Sequence, residues 1–344
     1  MMASSLDFAR RWLTAASWVY FTGLFGWAAL YFLSGDRFGV MALLNTFAPY
    51  FFSPLPLALA LAAWTKRREL WVGALVGAAI FVWLWGGLFI PKTRPAQAGG
   101  PTLKVMTYNA LGMQPFTDPA VDVIRAENAD IVFLQELNTY LAKAIRNELA
   151  DEYPYQFLDP VDGVTGMGTI SKLPLQPAGD GLPLDWVGTP QLFSLDWNGG
   201  RVTLINFHMW PAGLGTPGAI EYNYRTREAQ AAALADYARA ASTRGPVIAA
   251  GDANTTDLSD AYKIVTHTLT DSWREAGFGF GQTFPGSDIP GSSRPRLAGW
   301  PVPQWLVRID YVFHSTHWEA VEAHTAKFDG VSDHRGVVVT LAVK

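Results

Sequence analysis

The hydrophobic pattern divides the chain in two. Over the first 90 residues, apolar side chains fill stretches 12–33, 40–64 and 70–90, and none of the three holds an acid or a base. Each stretch has about the 20 residues needed to cross a bilayer core of about 30 Å. Helices apolar on every side need cover that no neighbouring soluble sequence supplies, so the pattern predicts three transmembrane helices. Arg10 and Arg11 resemble the basic flank of a signal peptide, but the apolar run behind them is too long and two more follow it. Pro49, Pro54 and Pro56 predict a kink or a re-entrant course in the second stretch.

A Pro/Gly/Ala-rich run at 91–101 interrupts this pattern, and beyond it short apolar runs alternate with turns and helical segments. LKVMTYN (103–109), DIVFLQEL (130–137), RVTLINFHM (201–209), GPVIAAGDAN (245–254), RIDYVFHS (308–315) and RGVVVTLAV (335–343) read as buried strands. Residues 118–128, 139–151 and 225–242 have helical composition, the last of them rich in alanine. Such alternation predicts an α/β domain with helices packed outside sheets. The glycines of 277–281 follow no strand and open no helix, which makes them a loop rather than a phosphate-binding turn. The organisation expected is a transmembrane anchor (1–91), a linker (92–101) and a catalytic domain (102–344).

Composition excludes several classes. With 49% hydrophobic and 16% charged residues the 344-residue chain is no disordered protein, and the absence of cysteine removes disulfides, iron–sulfur clusters, Cys-containing zinc sites and a thiol nucleophile. The net charge of -4 hides an asymmetry: residues 1–100 hold 8 Lys/Arg against 3 acids, and 101–344 hold 18 against 27. A basic apolar stalk and an acidic body, at +5 and -9, fit a membrane anchor and its cargo. Arg10 and Arg11 precede the first stretch, and Lys66, Arg67 and Arg68 lie between the second and third. Positive clusters stay cytoplasmic, so three crossings would place the acidic domain on the extracytoplasmic side, against the weaker opposing signal of Lys92 and Arg94.

The strands end in polar residues. Asn109 closes the first, Gln135 and Glu136 the second, Asn206 and His208 the third, and Asp252 and Asn254 the fourth; Asp310 opens the fifth and Asp333-His334 precedes the sixth. Side by side, such strands bring these tips to one edge, and residues two apart on a strand, such as Asp252 and Asn254, share a face. The groups suit metal-assisted hydrolysis of a phosphate ester. Glu136, Asp310 and Asp333 are hard oxygen donors of the kind Mg²⁺ takes, and an imidazole beside a carboxylate, as in His208 and His334, can move a proton or bind phosphate. Asn109 and Asn254 donate hydrogen bonds without adding charge.

Taken in order, TYN (107–109), LQE (134–136), SKLPL (171–175), NFH (206–208), a helix with Arg227 and Gln230, GDAN (251–254), TFP (283–285), RIDYVF (308–313) and SDH (332–334) resemble the endonuclease/exonuclease/phosphatase superfamily. The resemblance covers about 102–343. It implies a DNase-I-like, four-layer α/β/β/α sandwich, here preceded by three transmembrane helices. It also implies that Glu136 binds a divalent metal with help from Asn109 and Asp333, and that Asp252 aligns or deprotonates the attacking water while Asn254 holds a phosphate oxygen. By the same resemblance His208 and His334 contact the phosphate, His334 with Asp310 acting as general base or acid, and the cofactor is Mg²⁺, with Mn²⁺ or Ca²⁺ as alternatives. Two departures stand out: Ala253 replaces a larger residue in GDAN, and no Tyr or second acid of the kind some nucleases carry near His208 is identifiable.

The superfamily spans nucleases, inositol-phosphate phosphatases and sphingomyelinases, so the fold does not select the substrate. A catalytic half at -9 with no basic run is a poor nucleic-acid surface. Trp186, Trp210 to Leu214, Tyr222, Tyr224, Trp300 and Trp305 offer aromatic and apolar loops that suit a bilayer interface, or simply pack. The expected substrate is a lipid-linked phosphodiester or pyrophosphate at the outer membrane face. An extracytoplasmic nuclease and a non-catalytic membrane scaffold are the alternatives.

Overall fold

The computed structural model describes residues 2–92, 100–179, 181–213 and 216–344, so most of the expected linker and Leu214 lie outside the described residues. The chain forms two compact units, Met1–Ile90 and Pro91–Lys344.

The first unit contains α1 (Met2–Ser34), α2 (Gly39–Thr46), α3 (Leu55–Thr65) and α4 (Arg68–Trp85). Phe8–Ser34 and Arg68–Phe89 are each long and apolar enough to cross a membrane, whereas Gly39–Thr46 and Ala48–Thr65 qualify only as a pair bent by 65°. Of the three expected spans two are unbroken helices, and the second stretch is a bent pair, a broken span or a re-entrant loop, so the count is two or three. Proline is the cause: Pro49 lies in the 3-10 turn Ala48–Phe52, and Pro54 and Pro56 begin α3, so the backbone donors a continuous helix needs are missing there. Buried polar groups at the turn between α1 and α2 are paired, Asn45 donating to Asp36 Oδ1 at 2.7 Å and accepting from Trp27 Nε1 at 3.0 Å.

The second unit runs β1 (Thr102–Asn109), α5 (Asp118–Glu127), β2 (Ile131–Gln135), α6 (Thr139–Glu148), β3 (Tyr155–Asp159), β4 (Met167–Ser171), β5 (Leu175–Pro177), β6 (Gly188–Trp197) and β7 (Gly200–His208). It continues with α7 (Pro217–Ser242), β8 (Val247–Asp252), α8 (Asp260–Thr266), β9 (Thr270–Asp271), α9 (Ser272–Ala276), β10 (Arg296–Leu297), β11 (Trp300–Pro301), β12 (Asp310–His314), β13 (Trp318–Thr325) and β14 (Val337–Val343). Two six-stranded sheets form, in the orders β13-β14-β1-β2-β4-β3 and β5-β6-β7-β8-β12-β9.

Side chains alternate across a strand, and that parity builds the layers. On the first sheet Met106, Tyr108, Val132, Leu134 and Val338 pack under α5 and α6; on the second Ile205, Phe207, Ala249, Tyr311 and Phe313 pack under α7 and α8. Each fully buried large apolar side chain contributes about 1.5–3 kcal/mol. The other parity faces the gap between the sheets. There Thr107 Oγ1 donates to Gln135 Oε1 at 3.1 Å, Gln135 Nε2 to Asn206 Oδ1 at 2.8 Å, and Asn206 Nδ2 to the Gly168 carbonyl at 2.9 Å. This buried amide chain clamps one sheet to the other and completes the four-layer α/β/β/α sandwich.

Some elements differ from the sequence reading. β3, β4, β5, β6, β13 and the two-residue strands β9, β10 and β11 lie outside the six expected runs: β4 carries Gly168, Thr169 and Ser171 in place of an apolar run, and Pro190 sits where the β6–β7 register shifts between Gly188 and Gln191. α7 begins eight residues earlier than expected, because Thr216 caps it by accepting from the Ala219 N–H at 3.4 Å.

Candidate active site

Asn109, His208 and Asp252 end their strands, Asp310 begins its own, and all four side chains carry the parity that faces the gap. Glu136 lies one residue beyond β2 in a left-handed conformation (φ 54°). That conformation costs on the order of 1 kcal/mol and turns the carboxylate back toward β1. Asn109 Nδ2 then donates to Glu136 Oε1 at 3.0 Å and to Asp252 Oδ2 at 3.1 Å, joining the two sheets in one contact. The Gly112 N–H reaches Glu136 Oε2 at 3.3 Å, and a Cβ on Gly112 would fall 1.9 Å from the Gly163 carbonyl oxygen, so glycine is required.

Asp252 and Asp310 are directly paired across β8 and β12. Two carboxylates so placed repel each other, and His334 stands between them. Its Nδ1 is 2.9 Å from Asp310 Oδ2 and its Nε2 3.9 Å from Asp252 Oδ2, while His208 Nε2 lies 3.4 Å from the same oxygen. Asn254 reaches the group by a route other than strand parity. β8 has already ended at Asp252, and a left-handed Asn254 (φ 49°) turns back so that its N–H donates to Asp252 Oδ1 at 2.8 Å and its amide to the Met209 carbonyl at 3.0 Å. Gly251 is needed because a Cβ there would lie 1.9 Å from the Phe207 carbonyl oxygen, and Ala253 packs into the outer core under α7 and α8.

The segment carrying Asp333 and His334 is pinned from several sides. Asp329 Oδ1 accepts from the Val331 and Ser332 N–H groups at 2.8 and 2.9 Å, and its other oxygen accepts from the Tyr108 hydroxyl. Ser332 Oγ donates to the Asn109 carbonyl at 2.8 Å and accepts from the His334 N–H at 3.0 Å. Asp333 Oδ2 accepts from both the N–H and the hydroxyl of Ser293, each at 2.7 Å. Ser293 and Asp329 escaped the sequence reading, since both sit in loops without a periodic pattern. Behind the site a buried Arg308–Asp271 pair, with contacts of 3.1 and 2.8 Å, fixes the approach to Asp310.

The electrostatics suit a cation. Burial pushes the Glu136 carboxyl above its ordinary range, and neighbouring Asp333 pushes it further while His208 and Asn109 pull the other way. Burial would also raise Asp252, but His334, His208 and the Asn254 N–H hold it below its usual value. His334 is raised well above its ordinary value: burial opposes this, and Asp310 and Asp252 outweigh it.

Of the expected metal set, the structure brings Asn109 and Glu136 into contact and sets Asp333 near enough to raise Glu136. A second possible set exists, since ligand atoms of Asp252, Asp310 and His334 lie within 4.8 Å of one another. Asp310 Oδ1 and His208 Nδ1 are buried and without a hydrogen-bond partner among the described residues. Hard oxygens, a buried Glu136 carboxyl raised above its ordinary range and unused polar atoms together fit a divalent cation. A cavity of about 720 Å³ lined by Asp196, Trp197, Arg201 and Arg244 opens at the start of β7, away from His208, and holds none of these residues.

A sequence profile described as the Endonuclease/Exonuclease/phosphatase family matches residues 106–334. The chain belongs to this endonuclease/exonuclease/phosphatase family. Members of the family are generally metal-dependent phosphoesterases or nucleases that act on phosphate-containing substrates. An endonuclease/exonuclease/phosphatase protein from Beutenbergia cavernae is 24% identical, with a TM-score of 0.53, over 70% of this chain and 72% of its own. A truncated Caenorhabditis elegans TDP2 is 19% identical (TM-score 0.54) over 70% of this chain and 98% of its own. D. rerio TDP2, solved in complex with a single-strand DNA product, is 18% identical (TM-score 0.53) over 70% and 99%. At these identities the structures share the family's fold. No curated protein matches the sequence.

Proposed function

We propose that this family member is a membrane-anchored, divalent-metal-dependent phosphohydrolase that cleaves a phosphodiester or pyrophosphate of a lipid-linked substrate at the outer membrane face. The observation that carries the reading is the contact of Asn109, Glu136, Asp252, His208, His334 and Asp310 in one enclosed group drawn from both sheets.

In this reading Glu136 and Asp333, with Asn109, would hold Mg²⁺, which would supply positive charge to the phosphoryl oxygens. Asp252, fixed by Asn109 and by the Asn254 N–H, orients the attacking water and accepts its proton. Asp310 accepts from His334 Nδ1, which leaves Nε2 directed at the reacting group, where it donates to the leaving oxygen. His208 and Asn254 bind the remaining phosphate oxygens, and Thr283 keeps Asp310 in place by accepting from the Ile309 N–H at 3.2 Å.

The lipid assignment is supported by the two or three N-terminal helices able to span a membrane and by the -9 balance of the catalytic half, which gives little purchase on a polyanion. One observation favours a second reading, a nuclease: the fold is shared with D. rerio TDP2, whose structure holds a single-strand DNA product. A panel of polyprenyl pyrophosphate, phospholipids in detergent, single-stranded and plasmid DNA, assayed with the full chain with and without Mg²⁺, separates them. The expected result is metal-dependent release from a lipid, reduced about 10²-fold or more by Glu136→Ala or His334→Ala. Cleavage of DNA alone would establish the nuclease, and lipid turnover untouched by either substitution would reject the site.

A further inference from the structure

β10 and β11 form a two-residue hairpin in which Arg296 pairs with Pro301 and Leu297 with Trp300. Its turn residues, Ala298 and Gly299, both have positive φ (50° and 85°), the geometry of a type I′ turn. Glycine takes that conformation freely and alanine does not, so strain is spent to hold a tight tip. The tip is apolar and bare: Leu297 is 76% and Trp300 78% exposed.

The rest of the hairpin is bolted down. The Arg294 guanidinium donates to the Val302 and Gly286 carbonyls at 2.9 Å each, Arg296 donates to the Gly299 carbonyl at 3.0 Å, and the Val302 N–H donates to the Pro295 carbonyl at 2.9 Å. Ser293, one residue before Arg294, makes the two bonds to Asp333 described above, and the Ser287 N–H donates to the Ser332 carbonyl at 3.1 Å. A rigid element therefore joins an exposed Leu/Trp pair to the segment that carries Asp333 and His334. The exposed Met113 lies against Gly291, a residue of the hairpin's own loop, and adds apolar surface near the hairpin.

Composition identifies the surface this tip meets. The catalytic half carries -9, yet the tip residues 297–300 carry no charge, and the arginines behind them are neutralised or anchored, Arg296 by Asp288 and Arg294 by backbone carbonyls. An uncharged tip of exposed Trp and Leu is the chemistry of a bilayer interface, with the ring at headgroup depth. A membrane is also at hand, since eleven residues separate Ile90 from Thr102, a tether of at most about 40 Å.

We propose that the Arg296–Pro301 hairpin seats the catalytic unit on the lipid surface, with Leu297 and Trp300 entering the headgroup region. The inference rests on the membrane part of the preceding reading and is independent of the reaction assigned to the site.

The chain has no cysteine, so Leu297→Cys provides a unique attachment point for an environment-sensitive fluorophore. In the full-length protein reconstituted into phosphatidylcholine/phosphatidylglycerol vesicles, the label at 297 is expected to emit at shorter wavelength and to be quenched by acyl-chain spin labels. A label at Arg244→Cys, before β8 and so at the far end of that strand from Asp252, is expected to do neither. Equal quenching of both positions by aqueous iodide, or shielding at 297 that vanishes when protein is diluted in the bilayer, would overturn the proposal; the second result would assign the tip to another copy of the chain. Trp300→Ser combined with Leu297→Ser should lower turnover of a membrane-embedded phosphate ester about tenfold and leave a water-soluble ester unchanged. Equal losses on both would count against it. If the wild-type protein hydrolyses neither ester, the phosphohydrolase reading fails and the fluorophore result alone decides the hairpin's role.

Discussion

Asp310 and Asp252 face each other across two strands, and His334 holds them together through contacts of 2.9 and 3.9 Å. Removing the charge from Asp310 leaves the imidazole with one carboxylate neighbour and an undirected Nδ1. Asp310→Asn should therefore lower kcat by about 10²–10⁴-fold. Because the two residues act as one unit, the Asp310→Asn/His334→Ala double variant should be little worse than the poorer single variant. Steady-state turnover of the three proteins tests this, and losses that multiply would show two independent roles. Much of this scale was legible in the sequence: Asn109, Glu136, His208, Asp252 and His334 declare their chemistry by type and stand where apolar runs stop. What was hidden is how they are held. Nothing local to Ser293 or Asp329 distinguishes them from ordinary loop polar residues, and Asn254 reaches Asp252 through a left-handed turn rather than by strand alternation.

At the scale of elements, β-branched or apolar runs made β1, β2, β7, β8, β12 and β14 readable, because strands buried on both faces need mostly apolar residues. The edge strands, together with β4 and β6 beside them, carry mixed polarity and gave no such run. One of them, β13, is tied in by the short helix α9, whose Glu275 accepts from the Ala320 N–H at 2.9 Å and contacts His314 Nε2 at 2.8 Å. Burial works to raise this carboxyl, but His314 and the Ala320 N–H outweigh it and hold Glu275 at about 2, against an ordinary 4.5. A depressed folded-state value stabilises the fold above the unfolded value and is lost as pH falls through the folded one. The wild-type protein should thus lose at most about 3 kcal/mol from this group between about pH 4.5 and pH 2. Glu275→Gln should be less stable at neutral pH and lack that portion of the acid dependence. Chemical denaturation of the full chain at several pH values checks this; parallel stability curves for the two proteins would remove Glu275 from the account.

At the scale of the whole molecule, the division into an apolar basic part and an acidic α/β part was visible in charge and hydropathy before any coordinates. The course of the second apolar stretch was not, because three prolines allow either a broken span or a re-entrant loop and composition does not choose between them. The polar strand tips pointed to a shared sheet edge, but no local pattern says that two separate sheets supply it; the packing of those sheets through Thr107, Gln135 and Asn206 brings residues 109, 136, 252, 310 and 334 together. In the proposed function this meeting point holds a divalent cation beside a phosphoryl group. Titration of the detergent-solubilised full-length protein with Mn²⁺, read as loss of the free-ion paramagnetic resonance signal, tests it most directly. The account predicts saturable binding that Glu136→Ala weakens about 10-fold or more, with Arg244→Ala behaving as wild type. Binding identical in wild type and Glu136→Ala would contradict it.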